Sequence, residues 1–238
     1  MTSIVSIVDV TKEYRLGSVV VPALRGVSLQ VHQGDFISIA GPSGSGKTTL
    51  LNLIGCVDTA TAGEVLVAGK NTALLNDREL TNLRLHTLGF IFQSFNLVSV
   101  LSVFQNVEFP LLLQGGMTSA ERRSRVDAIL SQVGLSGHLK HRPNELSGGQ
   151  RQRVAVARAL VTRPKIVLAD EPTANLDSVT GQNIIDLMKH LNKSEGTTFI
   201  FSTHDQKVLK HADSVFYLAD GLITGLESPA LVSAAAGH

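Results

Sequence analysis

Residues 36–54 read FISIAGPSGSGKTTLLNLI, which is a β-rich apolar run, a glycine-rich turn and a helical run in direct succession. Within this stretch, residues 41–48 match the pattern G-x4-G-K-[ST] in full. Glycines let the backbone curl so that successive N–H groups point at phosphate oxygens, and the start of the following helix adds its dipole. Because a strand leads in and a helix leads out, the pattern predicts a site for the phosphates of a nucleotide.

The residue types in this loop indicate separate tasks. Lys47 is expected to bridge the β- and γ-phosphates and to assist their chemistry, and the Thr48 hydroxyl is expected to bind Mg²⁺. The predicted phosphate-binding residues are Gly41, Pro42, Ser43, Gly44, Ser45, Gly46, Lys47, Thr48 and Thr49.

A second run, KIVLADEPT (165–173), delivers two carboxylates at the end of an apolar strand. Ligands of open α/β sheets collect at the carboxyl ends of strands. Asp170 directly follows the buried run and suits a metal ligand, whereas Glu171 suits polarising the water that attacks the γ-phosphate and accepting its proton. The alternative is an ordinary acidic junction between a strand and a loop.

A second glycine-rich helix start occurs in NELSGGQRQRVAVARALV (144–161). Ser147 followed three residues later by Gln150 predicts a capping box, and Val154, Ala157, Leu160 and Val161 predict an apolar stripe with the arginines largely elsewhere. A well-capped helix needs no ligand. However, Gly148 and Gly149 cost helix stability and leave bare N–H groups at a positive helix end, which favours a second anion site.

Composition limits the classes of function. The chain has 238 residues, 43% of them hydrophobic and 17% charged, with a formal charge of +1. This balance argues against tight, sequence-independent binding to nucleic acid, which needs a concentrated basic surface. The single cysteine, Cys56, is expected to be buried. The N-terminus lacks the basic and apolar regions of a signal peptide, and no apolar run reaches the ~20 residues that span a bilayer.

Along the chain, β-rich runs alternate with helical patterns, which predicts an α/β fold. Several runs are continuously apolar, as in parallel strands, while GVSLQV (26–31) alternates with Val27, Leu29 and Val31 on one face. Helices are predicted within 50–54, 121–133, 151–161 and 181–191. Strand patterns thin out between about Gln93 and Arg163, which predicts a helical lobe inserted into the core.

The string LSGGQ, with the phosphate loop before it and VLADEPTANLDS (167–178) after it, resembles the ATP-binding subunit of an ABC transporter over roughly residues 4–226. The resemblance implies a P-loop NTPase (RecA-like) core sheet with an inserted α-helical lobe and an antiparallel β edge. It implies one ABC ATPase domain over 1–238, with the core at about 1–93 and 164–228, the lobe at about 94–163 and a tail at 229–238.

The resemblance also implies a head-to-tail homodimer with ATP and Mg²⁺ in two shared sites. Each ATP would be held by the phosphate loop of one chain and covered by Ser147, Gly148, Gly149 and Gln150 of the other. Tyr14 matches the aromatic residue that stacks on adenine, Gln93 the glutamine that touches Mg²⁺ and the attacking water, and His204 the histidine that contacts the γ-phosphate. Residues 175–177 match the loop that crosses the dimer interface. The catalytic set is therefore Glu171, His204, Gln93 and Lys47, and the metal set Thr48, Gln93 and Asp170.

Within the family, strings such as GFIFQSFNLVSVLSVFQNV (89–107) are similar to the branch of lipoprotein-releasing and macrolide-exporting ATPases. This implies a bacterial subunit at the cytoplasmic face of the inner membrane that powers a separate integral membrane permease, with no nucleic-acid partner. The apolar segment after Gln93 would either face that permease or pack inside the lobe.

Two other functions and a metal site remain alternatives. One function is a soluble ABC-type ATPase acting on nucleic acid or ribosomes. The other is an ATP sensor without hydrolysis, which would require the loss of Glu171 or His204, and both residues are present. His138 and His141 have a spacing that could bind a metal, although an exposed loop is favoured there.

Overall fold

The computed structural model describes residues 3–228, and its central element is a mostly parallel sheet. The strands of the chain are β1 (Ser3–Leu16), β2 (Val19–His32), β3 (Phe36–Ala40), β4 (Ala62–Val67), β5 (Lys70–Asn71), β6 (Leu88–Ile91), β7 (Ile166–Asp170), β8 (Thr198–Thr203), β9 (Ser214–Ala219) and β10 (Leu222–Glu227). Six of them form the sheet β10-β9-β3-β8-β7-β6, in which only β10 pairs antiparallel to its neighbour. The predicted α/β class is confirmed.

The remaining strands form an antiparallel sheet in the order β2-β1-β4-β5, which is the predicted antiparallel edge. Val27, Leu29 and Val31 are all buried, as their alternation predicts. The short β5 and the terminal β10 were not predicted from the sequence. β5 has only two residues and β10 is largely exposed, so neither carries a strong apolar pattern.

The parallel strands are buried on both faces, which explains their continuous apolar runs. On one face Phe36, Phe199 and Phe201 join the core cluster that includes residues of the later helices, and the Phe36 and Phe201 ring centroids lie 5.0 Å apart. On the other face, Ile37 and Ile200 join a second cluster with the first helix and the antiparallel sheet. The sheet therefore separates two hydrophobic cores and exposes its strand ends to carry the site.

The helices are α1 (Lys47–Ile54), α2 (Asp77–Thr87), α3 (Val103–Gln114), α4 (Ser119–Gln132), α5 (Gly148–Leu160), α6 (Ser178–Glu195) and α7 (Gln206–Leu209). The four predicted helical segments fall within α1, α4, α5 and α6, apart from one residue at the end of each of the second and third. The sequence reading missed α2, α3 and α7. Helices α3, α4 and α5 occupy the predicted lobe, but the division into core and lobe stays a prediction, and the predicted tail (229–238) lies outside the described residues.

More residues of helix α5 are buried than the single apolar stripe that the sequence predicts. Besides that stripe, Gln152, Ala155 and Val156 are fully buried. The reason is that α5 contacts α3, α4, α6 and strand β6 at once. Arg158 does not lie on an open surface, because its guanidinium donates hydrogen bonds to the carbonyls of Phe95 and Asn96.

The single cysteine lies in the interior of the fold. Cys56 is 2% exposed, as predicted, and burial raises the pKa of its thiol to about 11. Over residues 3–228, no helix is both long enough and apolar enough to cross a membrane.

Candidate nucleotide site

The phosphate loop lies between the end of β3 and the start of α1. Lys47 is buried, and its Nζ donates hydrogen bonds of 2.8 and 2.9 Å to the carbonyls of Gly41 and Pro42. These bonds fold the lysine back over its own loop. The ammonium charge is therefore held where phosphate oxygens would approach the backbone N–H groups.

Gly46 shows why this loop needs a glycine immediately before the helix. Its φ is +106°, a left-handed conformation, and a Cβ there would lie 2.6 Å from the carbonyl oxygen of Ala23. A larger residue would therefore both strain the backbone and collide with β2.

The two carboxylates, Asp170 and Glu171, lie beside this loop. Asp170 accepts a 3.0 Å hydrogen bond from Thr48 Oγ1 and a 2.6 Å bond from Ser202 Oγ. Glu171 Oε1 lies 3.9 Å from Lys47 Nζ. Strands β7 and β8 are parallel neighbours, so their carboxyl ends bring these side chains together although they are distant in sequence.

Glu171 is held in an unusual backbone conformation. Its φ is +46°, which is uncommon for a residue with a side chain. Its N–H donates a 2.9 Å hydrogen bond to Ser202 Oγ, and its Oε1 accepts a 2.9 Å bond from Nδ1 of His204. The carboxylate is 15% exposed and the histidine 67% exposed, so an open imidazole covers a largely enclosed acid.

The residues present fit a nucleotide with Mg²⁺. Ser45 Oγ is buried without a hydrogen-bond partner, which leaves a polar group in the loop free for a phosphate oxygen. The Thr48 hydroxyl and the Asp170 carboxylate lie within hydrogen-bond distance of each other, and oxygen ligands of this kind are those that Mg²⁺ prefers.

Tyr14 is fixed beside α1 by charged neighbours. Its hydroxyl donates a 2.8 Å hydrogen bond to Asp58, and Lys12 Nζ lies 4.9 Å from its ring centroid. Asp58 also accepts a 2.6 Å bond from Lys12. Burial opposes ionisation of Asp58, but the bonds from Lys12 and Tyr14 outweigh it and lower the pKa of the carboxyl.

The second glycine start forms the predicted capping box. The Gln150 N–H donates to Ser147 Oγ at 3.3 Å, and the Ser147 N–H donates to Gln150 Oε1 at 2.9 Å. Gly149 has a packing reason that the sequence did not reveal, because a Cβ there would lie 2.5 Å from Cγ2 of Thr180 on α6. No hydrogen bond in the described part of the chain joins this helix start to the phosphate loop.

Gln93 and the 175–177 loop lie beside each other. Gln93 is exposed just after β6, and its backbone carbonyl accepts a 2.8 Å hydrogen bond from Asn175 Nδ2. Asp177 caps α6 through the N–H groups of Val179 and Thr180. The Gln93 side chain itself has no hydrogen bond to Thr48 or Asp170 within residues 3–228, so its metal role stays a prediction.

Ser202 is the main site residue that the sequence reading missed. It is fully buried and its hydroxyl joins the backbone of Glu171 to the carboxylate of Asp170. A polar residue near the end of an apolar strand, two positions before His204, is a signal that could have indicated it. Asp58, which positions Tyr14, had no such signal because it lies in a loop 44 residues away.

The alternative metal site at His138 and His141 lacks ligands. Their ring centroids lie 5.1 Å apart, but His138 Nε2 is occupied by the side chain of Gln150 at 3.1 Å. The described residues contain no group of three or more histidine, cysteine, aspartate or glutamate side chains that could hold a metal ion.

Comparisons with known proteins show which family this chain resembles. The family model described as ABC transporter matches residues 24–174. The ABC transporter ATP-binding protein MJ0796 of Methanocaldococcus jannaschii is 48% identical over 216 residues, covering 90% of this chain and 92% of the relative. A dimeric post-hydrolysis structure of MJ0796 bound to ADP and Pi superposes with a TM-score of 0.87 at 46% identity, covering 94% of this chain and 98% of that one.

Two further relatives belong to the branch expected from the sequence. The lipoprotein-releasing system ATP-binding protein LolD 1 of Rhodopseudomonas palustris is 42% identical over 226 residues, covering 94% of this chain and 100% of the relative. The macrolide export ATP-binding/permease protein MacB of Syntrophobacter fumaroxidans is 44% identical over 221 residues, covering 92% of this chain but 31% of the relative.

Proposed function

The chain belongs to the ABC transporter family as an ATP-hydrolysing, ATP-binding subunit. On that premise we propose how its residues bind ATP, hydrolyse it and transmit the closure of the dimer to a membrane permease. The observation that carries the proposal is the convergence of Lys47, Thr48, Asp170, Glu171 and His204 on one loop, while the Ser147 helix start is bonded elsewhere.

At the phosphate loop, Lys47 and the backbone N–H groups of residues 43–49 bind the β- and γ-phosphates. Thr48, Asp170 and Gln93 hold Mg²⁺, which when bound neutralises charge on the phosphate oxygens. Tyr14, fixed by Asp58, lies beneath the adenine.

Glu171 accepts the proton of the water that attacks the γ-phosphate. The positive φ of Glu171 and the hydrogen bond of its N–H to Ser202 fix the backbone at the strand end. The carboxylate is therefore already in position before the reaction begins. His204 orients the carboxylate through its 2.9 Å hydrogen bond and contacts the γ-phosphate when ATP is present.

The Ser147 helix start serves the ATP of a second copy of the chain. The N–H groups of Gly148 and Gly149 lie at the positive end of α5, where an anion is stabilised. Because each chain has one phosphate loop and one such helix start, two copies arranged head to tail complete two sites. The 175–177 loop, which is bonded to Gln93, crosses between them.

The surface that transmits motion to a membrane permease lies after β6 and on α3. Exposed apolar side chains cluster after β6 and on α3; they are Phe92, Val98, Val100, Phe109, Leu112 and Leu113. Beside them a cavity of about 500 Å³ is lined by Phe90, Phe92, Pro110 and Leu113, with Arg84 and Arg158 as its charged members. We call this cavity and the exposed side chains beside it the groove, and we assign the groove to an apolar segment of the permease. On this assignment the subunit lies at the cytoplasmic face of the membrane.

The dimer is tested with Glu171→Gln, which should abolish ATP hydrolysis and leave a dimer stabilised by ATP. Light scattering with and without ATP measures the mass, and Glu195→Gln is the matched control. Ser147→Arg in the Glu171→Gln background should prevent the dimer while ATP still binds to single chains. A Ser147→Arg chain that still hydrolyses ATP at the parent rate would reduce the second glycine start to a helix cap.

The permease is tested by purifying the tagged chain from its native membranes in mild detergent and identifying what accompanies it by mass spectrometry. Val100→Asp should lose the membrane protein but retain the ATP-dependent dimer, whereas Leu74→Asp, at a site 80% exposed against 71% for Val100, should retain both. Ribosomal or DNA-bound proteins in place of a permease would instead support a soluble ABC-type ATPase.

A further inference from the structure

His138 has a contact for which the nucleotide site described above gives no reason. It ends a short 3₁₀ turn, Ser136–His138, in the loop before α5. Its Nε2 lies 3.1 Å from Nε2 of Gln150, in the first turn of α5. The side chain is partly buried, and its Nδ1 is buried with no hydrogen-bond partner.

The hydrogen bonds determine which atoms donate. Gln150 Oε1 accepts the N–H of Ser147 at 2.9 Å, so the other end of the amide, its NH₂ group, faces the imidazole. An NH₂ group only donates, and therefore Nε2 of His138 must accept. The ring proton then lies on Nδ1, where it has no partner. The histidine thus keeps a tautomer that is unfavourable at Nδ1 because the Gln150 bond requires it.

We propose that His138 is a positioning residue that orients the Gln150 amide, and through it the Ser147 helix start, for the nucleotide of the second chain. The inference rests on the proposed shared site. If His138 were protonated, both ring nitrogens would carry hydrogens and Nε2–H would oppose the Gln150 NH₂ group. Turning the amide over would relieve this contact but would set NH₂ against the Ser147 N–H, so either response opens the capping box.

The surroundings of His138 contain little to hold a positive charge. His141, Lys140 and Arg142 belong to the same loop, and Arg151 and Arg153 follow Gln150 on α5. Arg153 donates to the carbonyl of Val133, and Arg151 lies over the ring of Phe95. Glu145, the acidic group in this segment, accepts the backbone N–H of Arg142. Within the described residues, no carboxylate is hydrogen-bonded to the imidazole.

The test measures the ATP concentration that gives half-maximal dimer in the Glu171→Gln background. His138→Leu removes the acceptor and should raise that concentration about threefold or more, the range of one lost hydrogen bond. His138→Gln supplies an acceptor and should stay within about twofold of the parent, as should the control His141→Leu. Each variant should bind ATP as a single chain like the parent, which separates the effect from misfolding.

Rescue by His138→Gln separates positioning from plain packing, because glutamine restores an acceptor for the Gln150 amide and leucine does not. A His138→Leu variant with the same ATP dependence as the parent would overturn the proposal but leave the shared site standing. A parent that never dimerises with ATP would instead refute the proposed dimer, and the inference with it. Nitrogen NMR of the histidine rings gives a separate check, since an Nε2–H tautomer of His138 would also overturn the proposal.

Discussion

Replacing Asn106 tests how the segment next to the groove is held in place. This side chain is 1% exposed and lies on α3. Its Oδ1 accepts the N–H of Val98 at 2.8 Å, and its Nδ2 donates to the carbonyls of Val98, Leu101 and Ser102 at 3.0 to 3.1 Å. One asparagine side chain thus supplies hydrogen bonds to the backbone of the 98–102 loop, in which Val98 and Val100 are exposed.

The expected cost follows from these contacts, which count as about three hydrogen bonds because the two hydrogens of Nδ2 are shared among three carbonyls. Each is worth about 0.5–1.5 kcal/mol net, and because the loop can hydrate when it loosens, Asn106→Ala should lower the free energy of unfolding by about 3 kcal/mol. For a chain of this size, that corresponds to a melting temperature lower by about 6–12 °C. Asn106→Asp should cost at least as much, because it sets an oxygen against three carbonyl oxygens.

Urea denaturation followed by circular dichroism measures these free energies. Ser102→Ala, which removes only the exposed cap of α3, is the control and should cost about 1 kcal/mol. An Asn106→Ala variant within about 1 kcal/mol of the parent would refute the reasoning, since about three net hydrogen bonds could not then be present.

Three further results are expected. Gly149→Ala should cost about 1–3 kcal/mol of stability by overpacking against Thr180, and adding Thr180→Ser, which removes the contacted methyl, should recover most of it in a double-mutant cycle. Burial raises the pKa of Cys56 from 9.0 to about 11, so the folded chain keeps the thiol proton to higher pH than the unfolded chain, and the free energy of unfolding should fall across that interval in the parent but not in a Cys56→Ala variant. Asp58→Ala should release the Tyr14 hydroxyl and raise the KM for ATP by about three- to tenfold with kcat unchanged, and an unaltered KM would show that Tyr14 needs no anchor.

The phosphate loop and the two acidic residues could be predicted because each motif is local in sequence and carries its own flanking elements. The strand order of the sheet then brings the motifs together, which needs only the rule that parallel strands present their carboxyl ends at one edge. Ser202 was not predicted because its importance depends on the register between β7 and β8, where it is paired with Asp170.

Helices α2 and α3 were missed for opposite reasons. Helix α2 is largely polar, with Leu80, Leu83 and Thr87 as its buried residues, so its pattern resembles a loop. Helix α3 contains Pro110 and is apolar on more than one side, because one side packs inside the lobe while Phe109 and Leu113 remain exposed. Periodicity fails for a helix that has two apolar surfaces, because no single stripe then stands out from the sequence.

The paired glycines show how one residue type can meet two physical demands. A Cβ on Gly149 would collide with Thr180, so packing against α6 is sufficient to require a glycine there. A Cβ on Gly148 would approach Leu176 Cδ2 at 3.3 Å, a contact that a leucine end can relieve by a small shift. Packing therefore explains the glycine at position 149 far better than the glycine at position 148. What remains for Gly148 is the access it gives to backbone N–H groups at the positive end of α5, beside the Ser147 side chain and the Gln150 side chain that His138 contacts.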